Sequence, residues 1–300
     1  MRKALLIFSA FALLPIFSAA RPTIAEQPPV VCIDPGHPSE TSAGNVVQNG
    51  TTEVHIAWAV ALKLRALLEA KGMRTVMTKS AEAQLVRNRD RAMIANRARA
   101  RLMVRLHCDA SNDSGFALYA PDRQGSVEGV TGPSPQVIER SQQAARAIHQ
   151  GMAERLAGLL KDGGVRGDSK TYVGSRQGAL TGSIFSEVPV VTIEMVVLSN
   201  KSDARFIKDE NGQNRMAEAI AAGIERFFRI QNSGARIQKP EFRSQKPVEA
   251  DYDFIRLLSR YYARDSDFWL LNSGSWLLSH RLVVSAGSTV NFNKNRNARF

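Results

Sequence analysis

Three polar side chains stand where apolar runs break off. Val30–Ile33 leads through Asp34-Pro35-Gly36 to His37, Leu102–Leu106 leads to His107, and Val188–Ile193 leads to Glu194. Each run is short, apolar and bounded by turn residues, the pattern of a buried strand. Ligands of open α/β sheets collect outside the carboxyl ends of strands, so His37 and His107 share one rim if their strands are neighbours. Pro35 fixes φ, and Gly36 reaches conformations closed to other residues, so this turn can hold an imidazole just past the strand. One turn histidine says little alone; its recurrence at a second strand carries the weight. A carboxylate in surroundings as apolar as those of Glu194 is costly unless it is paired or used, the bland alternative being a satisfied structural glutamate. A second carboxylate, Glu53, opens a helix, where it can simply complement the helix dipole for about 0.3–1 kcal/mol.

The elements that must position these groups alternate between strand and helix. After a polar loop to Gly50, Thr51-Thr52 can cap a helix with Ala57, Val60, Ala61, Leu64, Leu67 and Leu68 on one face, and Gly72 ends it. His55 in its first turn reads as a surface or structural residue. Arg74–Thr78 reads as a strand. Asn88–Arg99 reads as a helix whose arginines form a solvated face. Phe116–Tyr119 reads as a fourth strand, 136–160 as a long helix, and 163–168 as a turn-rich connection. Arg215–Phe228 closes the series as an amphipathic helix with Met216, Ala219, Ile220, Ile224, Phe227 and Phe228 inward. The expected class is α/β: a mixed, mostly parallel sheet with helices on both faces, forming a single catalytic domain plus a C-terminal extension.

The chain begins with Arg2-Lys3, the apolar run Ala4–Phe17, and small residues at Ser18, Ala19 and Ala20. That is the layout of a secretory signal peptide, with a core short for a membrane span; a retained anchor is the alternative. Cleavage fits after Ala20 or Ala25. The expected division is therefore 1–25 signal peptide, 28–231 catalytic domain and 232–300 C-terminal extension of unassigned role. Removal of Arg2, Lys3 and Arg21 takes the formal charge from +12 to +9. A basic exported chain meets an anionic cell wall sooner than it meets nucleic acid. Two cysteines exclude a disulfide scaffold. Cys32 and Cys108 read as small buried hydrophobes, with a mutual disulfide or metal ligation as alternatives.

From Val30 to about Phe228 the chain resembles the zinc-dependent N-acetylmuramoyl-L-alanine amidases of the amidase 3 type, which cut peptidoglycan. Four blocks in order carry the resemblance: Val-Cys-Ile-Asp-Pro-Gly-His at 31–37, Glu53, Arg-Leu-His-Cys-Asp-Ala-Ser at 105–111, and Val-Thr-Ile-Glu-Met at 191–195 with Ser199-Asn200 behind it. Ala95-Asn96 and Arg166-Gly167 are further shared features. The resemblance implies His37, Glu53 and His107 as ligands of one Zn2+ per chain and Glu194 as the catalytic acid and base. It also implies peptidoglycan as partner; the leader implies export to the periplasm or the cell-wall exterior with no stable membrane span after processing, and a protein activator is left open. Two imidazoles and a carboxylate leave zinc an open position, as catalytic sites require. A zinc peptidase cutting elsewhere in the stem peptide and a non-catalytic wall-binding protein are the competing functions. No Gly-x-Ser-x-Gly elbow, His-Glu-x-x-His helix or Cys-x-x-Cys pair offers a rival chemistry. The chain departs from the family at Pro38-Ser39, where two glycines are common, and at Met195–Leu198, where a glycine-phenylalanine run is usual. The first departure bears on how the loop covers the metal, the second on substrate fit.

Overall fold

The computed structural model describes residues 27–41 and 43–237. The expected leader, 1–25, and residues 238–300 of the expected C-terminal extension lie outside the described residues. The elements are β1 (Val30–Pro35), α1 (Glu53–Ala70), β2 (Arg74–Met77), α2 (Asn88–Arg97), β3 (Leu102–Asp109), β4 (Phe116–Ala120), β5 (Gly125–Val127), β6 (Val130–Gly132), α3 (Pro135–Leu156), β7 (Asp162–Gly167), α4 (Gly174–Gln177), α5 (Thr181–Ile184), β8 (Val190–Val197), α6 (Lys201–Lys208) and α7 (Glu210–Ile237).

Six strands form one sheet in the order β2-β1-β3-β8-β4-β7, and β5 pairs with β6 in a separate hairpin. All neighbours in the large sheet run parallel except β4, which lies antiparallel to β8. The sheet is thus mixed and mostly parallel. Alternation along each strand sorts side chains onto two faces. Val31 and Ile33, Leu102, Val104 and Leu106, and Val191 and Ile193 join the apolar faces of α1, α3 and α7 in the main core. Cys32 and Met103 point the other way, toward Ala95 of α2. All six α7 positions expected to face inward are buried.

Several boundaries differ from the sequence expectation. β3 and β8 run past His107 and Glu194, because their pairing continues across a register shift to Asp109 and Val197. Both side chains therefore sit inside strands, not beyond them. The turn-rich stretch after α3 is an edge strand, β7, whose glycines disguise it. α7 continues past residue 231, the expected end of the domain, and ends at Ile237.

Cys32 and Cys108 are buried free thiols. They occupy opposite cores, and burial raises the pKa of each. Neither the disulfide nor the ligand alternative holds.

The face shared by β1 and α2 carries a buried charge cluster. The Asp34 carboxylate accepts from Arg91 Nη1 (2.5 Å), Arg105 Nε (2.9 Å) and the Thr78 hydroxyl (2.5 Å), and all three ionic side chains are buried. Burial opposes ionisation of Asp34, but the two guanidiniums and the hydroxyl outweigh it and hold its pKa well below the usual carboxylate range. Arg91 is fully enclosed, which overturns the reading of the α2 arginines as one solvated face. Its other donors serve the carbonyls of Val86 (2.9 Å), Pro35 (2.7 Å) and Pro38 (2.9 Å). The latter two bracket Gly36-His37. Arg91→Met should cost about 3–5 kcal/mol in urea unfolding, since it leaves Asp34 buried with half its compensation. A loss below about 1 kcal/mol would contradict this account.

A second buried carboxylate is not compensated. Asp168, just beyond β7, accepts from the Leu180 N–H (3.2 Å) while its Oδ1 has no partner among the described residues. Burial pushes its pKa up to about 6, with Asp122 adding to the rise against Ser183 and Leu180. The folded chain thus holds this proton between about pH 4 and 6 while the unfolded chain releases it, so stability falls as pH rises through that window. Asp168→Asn should raise the melting temperature at pH 7.5, by an amount equivalent to about 1–3 kcal/mol, and gain little at pH 4. Equal gains at both values would exclude the linkage.

Candidate metal centre

The centre is assembled from three parts of the chain. His37 leaves the end of β1, Glu53 is the first residue of α1, and His107 stands on β3. Thr52 caps α1, its hydroxyl accepting from the His55 N–H (3.2 Å), so Glu53 enters the helix in a fixed direction. Glu53 Oε1 lies 2.8 Å from His107 Nδ1 and also accepts from the Cys108 N–H at 3.2 Å. Glu53 Oε2 lies 3.5 Å from His37 Nε2. The two imidazoles meet edge-on, with ring centroids 5.3 Å apart and planes at 83°. One ligand atom from each of the three residues lies within 4.8 Å of the others.

The turn is tighter than its sequence suggested. The left-handed backbone belongs to His37 itself (φ 50°), not to Gly36. Such a conformation is disfavoured for a residue with a Cβ, and the surrounding bonds hold it. Arg91 ties the carbonyls on either side, Lys79 Nζ donates to the His37 carbonyl, and the Gly36 N–H donates to the Leu106 carbonyl at 2.8 Å. Gly36 is needed for space: a Cβ there would lie 2.6 Å from His107 Cε1 and 2.7 Å from Nδ1. Gly44 does the same on the other side, where a Cβ would come within 2.4 Å of the His37 ring. Ser39, a departure from the family pattern, places its hydroxyl 3.4 Å from His37 Nδ1. Asn49 Nδ2 anchors the loop to the Leu198 carbonyl (2.7 Å), and Lys208 donates to the Asn49 carbonyl (2.8 Å).

Electrostatics leave these groups in a metal-binding state. Burial pulls the His37 pKa down to about 4, against the pull of Glu53, so its ring is neutral near pH 7. Burial opposes the charge on Glu53, but His107, His37 and the Cys108 N–H outweigh it and lower its pKa. Neutral imidazole and ionised carboxylate are the forms that bind a cation. Two nitrogens and one carboxylate oxygen at this spacing could hold zinc with an open position for water.

Glu194 lies beside the centre. It pairs in register with His107 across β3 and β8, so the two side chains share one face. Its Oε2 is buried without a partner among the described residues. Burial, reinforced by the Glu53 and Asp109 carboxylates, pushes its pKa well above the ordinary carboxylate value. All four residues singled out in the sequence therefore come together. His55 stands apart, exposed and paired with Glu82. The Met195–Leu198 departure is wholly buried, so it changes packing beneath Glu194 more than the surface around it. The supporting residues Asp34, Arg91 and Lys79 were not anticipated.

A sequence profile described as N-acetylmuramoyl-L-alanine amidase matches residues 31–226. The chain belongs to this family. Among curated proteins it is 27% identical over 241 residues to N-acetylmuramoyl-L-alanine amidase Rv3717 of Mycobacterium tuberculosis, covering 72% of this chain and 94% of that one. It is 26% identical over 231 residues to N-acetylmuramoyl-L-alanine amidase AmiC of Escherichia coli O6:H1, covering 68% of this chain and 54% of the relative. The fold matches amidase AmiC2 of Nostoc punctiforme (TM-score 0.54, 22% identity, 67% of this chain and 97% of that one). It also matches the catalytic domain of the amidase CwlV from Bacillus (Paenibacillus) polymyxa var. colistinus (TM-score 0.54, 24% identity, 67% and 99%). This amidase-family chain should lose metal affinity by roughly tenfold or more on Gly36→Ala, because the added methyl displaces the His107 ring. A chelator-competition titration measures it; wild-type affinity would show that the ring position does not matter.

Proposed function

We propose that this chain is a zinc-dependent N-acetylmuramoyl-L-alanine amidase. It hydrolyses the amide between the lactyl group of N-acetylmuramic acid and the L-alanine of the stem peptide. The observation that carries the reading is the convergence of His37, Glu53 and His107 beside Glu194, whose Oε2 is buried without a partner among the described residues. In this reading the first three hold one Zn2+. When bound, zinc supplies a Lewis acid that activates water near pH 7 and takes up negative charge developing on the carbonyl oxygen. Glu194 acts as base and then acid: its carboxylate takes the proton of the attacking water and hands it to the departing nitrogen. A raised pKa suits both halves of that task. Glu53 differs from Glu194 in role because its carboxylate is held ionised by the two histidines.

The catalytic body is proposed to run from residue 28 to the end of α7, with residues 1–25 as an export leader that takes it to the periplasm or cell-wall exterior. No helix among the described residues is long and apolar enough to cross a membrane.

Purified protein should hold about one zinc, lose activity to a chelator and regain it with zinc. Digested peptidoglycan should release stem peptides with a free L-alanine amino terminus, read by mass spectrometry. Glu194→Gln should keep its zinc while turnover falls roughly 10²–10⁴-fold, whereas Glu53→Gln should lose zinc as well. Peptides cut between later stem residues would replace the amidase reading with a peptidase.

A further inference from the structure

The sheet face that carries His107 and Glu194 is covered only in part. α2 packs on it over β1, with α5 against α2, whereas the helix packing on β4 and β7, α3, lies on the opposite face. Exposure along β4 shows the difference. Phe116 and Leu118 are buried toward α3, while Ala117 and Tyr119, which alternate to the other face, are half-buried. Register places Ala117 opposite Glu194, Tyr119 opposite Thr192, and Arg166 of β7 opposite Tyr119. Partly exposed Ala117 and Tyr119 therefore lead across the strands from Glu194 to exposed Arg166, with buried Thr192 at the edge of this strip. The two residues stand two strands apart, on the order of 10 Å across the sheet at the usual strand spacing.

Arg166 is exposed and is held in place by neutral oxygens. Its Nη1 donates to the Tyr119 hydroxyl (3.3 Å), its Nε donates to the Gly163 carbonyl (3.2 Å), and its guanidinium lies 6.0 Å from the centre of the Tyr119 ring. No carboxylate among the described residues lies within ion-pair distance of it. It is a fixed cation at the far end of the strip, with donor capacity to spare.

The direction of the substrate follows from the acid. Glu194 protonates the departing nitrogen, so that nitrogen lies on the β8 side of the centre, and the peptide it belongs to continues over β4 toward β7. Successive Cα atoms of a peptide are 3.8 Å apart, so a side-branch carboxylate on the second peptide residue comes within reach of an arginine side chain about 10 Å away. Charge agrees with this polarity. Once its lactyl carboxyl is tied up as an amide, the sugar side of the scissile bond is neutral, whereas carboxylates sit on the peptide side.

We infer that Arg166, steadied by Tyr119, forms a subsite for the free carboxylate of the second residue of the leaving peptide. The inference rests on the amidase reading and adds to it a determinant of substrate choice. Arginine suits the task because its planar fork can meet a carboxylate with two parallel hydrogen bonds.

The test uses two soluble substrates, N-acetylmuramoyl-L-alanyl-D-glutamate peptides that differ only in whether the glutamate α-group is carboxylate or carboxamide. The zinc-loaded full chain should favour the carboxylate in kcat/KM by roughly tenfold. Arg166→Gln should bring that ratio to within about twofold of one, and Arg166→Lys, which keeps the charge but not the fork, should fall between. Zinc-loaded Glu194→Gln should show the same preference in binding by calorimetry. A wild-type ratio near one, or a tenfold ratio that survives Arg166→Gln, overturns the subsite while leaving the amidase intact. If the zinc-loaded chain cuts neither substrate nor peptidoglycan at this amide, the amidase reading fails and the subsite falls with it.

Discussion

The Asp34–Arg91–Arg105 cluster is the interaction on which the centre depends. An isolated carboxylate buried as Asp34 is would cost several kcal/mol, and two buried guanidiniums alone would cost as much. Together, with the Thr78 hydroxyl, each satisfies the others. Arg91 then has donors left over, and they fall on the backbone either side of His37. Arg105 sits two residues before His107 on the same strand face, and its Nη2 donates to Asn88 Oδ1 at 2.5 Å, so the α2 amino terminus is tied to the strand that carries the second imidazole. Gly182 is packed so closely on the Arg105 guanidinium that a Cβ there would come within 2.9 Å of it. One cluster thereby fixes two imidazoles from different strands relative to each other. A strained φ at His37 persists because these bonds over-determine it.

The reversed strand explains why the same sheet can both hold the centre and leave it open. β1, β3 and β8 run parallel and bring the carboxyl-terminal parts of all three to the site. β4 then enters in the opposite direction, and β7 follows β4. The chain between them passes through α3 on the far face, so α2 is left to cover only the β1 and β3 side of the near face. Glu194 lies at the border between the covered and uncovered halves. That border leaves Glu194 partly exposed while its Oε2 stays buried.

Much of this was legible from the sequence because it depends on local patterns. Apolar runs marked β1, β3 and β8, helical spacing marked α1 and α7, and a hydroxyl before Glu53 marked the α1 cap. The hidden parts depend on tertiary partners. Arg91 looks like any arginine of a polar helix, since nothing nearby in sequence shows that its turn faces Asp34. A signal did exist: Asp34 and Arg105 are charges inside apolar strands, each on the face that strand alternation gives to α2. A buried charge of either sign implies a partner of the other. β7 was missed for a different reason. Three of its six residues are glycine, and an edge strand needs little apolar content to pair on one side.

The two glutamates show how one small volume can shift two carboxylates in opposite directions. Burial opposes the charge on both. Glu53 accepts a backbone N–H from Cys108 and stands between two imidazole nitrogens, so its anion is the favoured form. That anion is then one of the charges that Glu194 feels, along with Asp109, and it has only the more weakly felt Arg105 to offset them. The charge on the first carboxylate therefore helps raise the proton affinity of the second. Exchanging their surroundings would exchange their chemistry, even with both residues retained. Sequence blocks can mark both as important, but the difference in proton affinity is set by the Cys108 N–H and the two imidazoles, which are delivered to Glu53 and not to its neighbour.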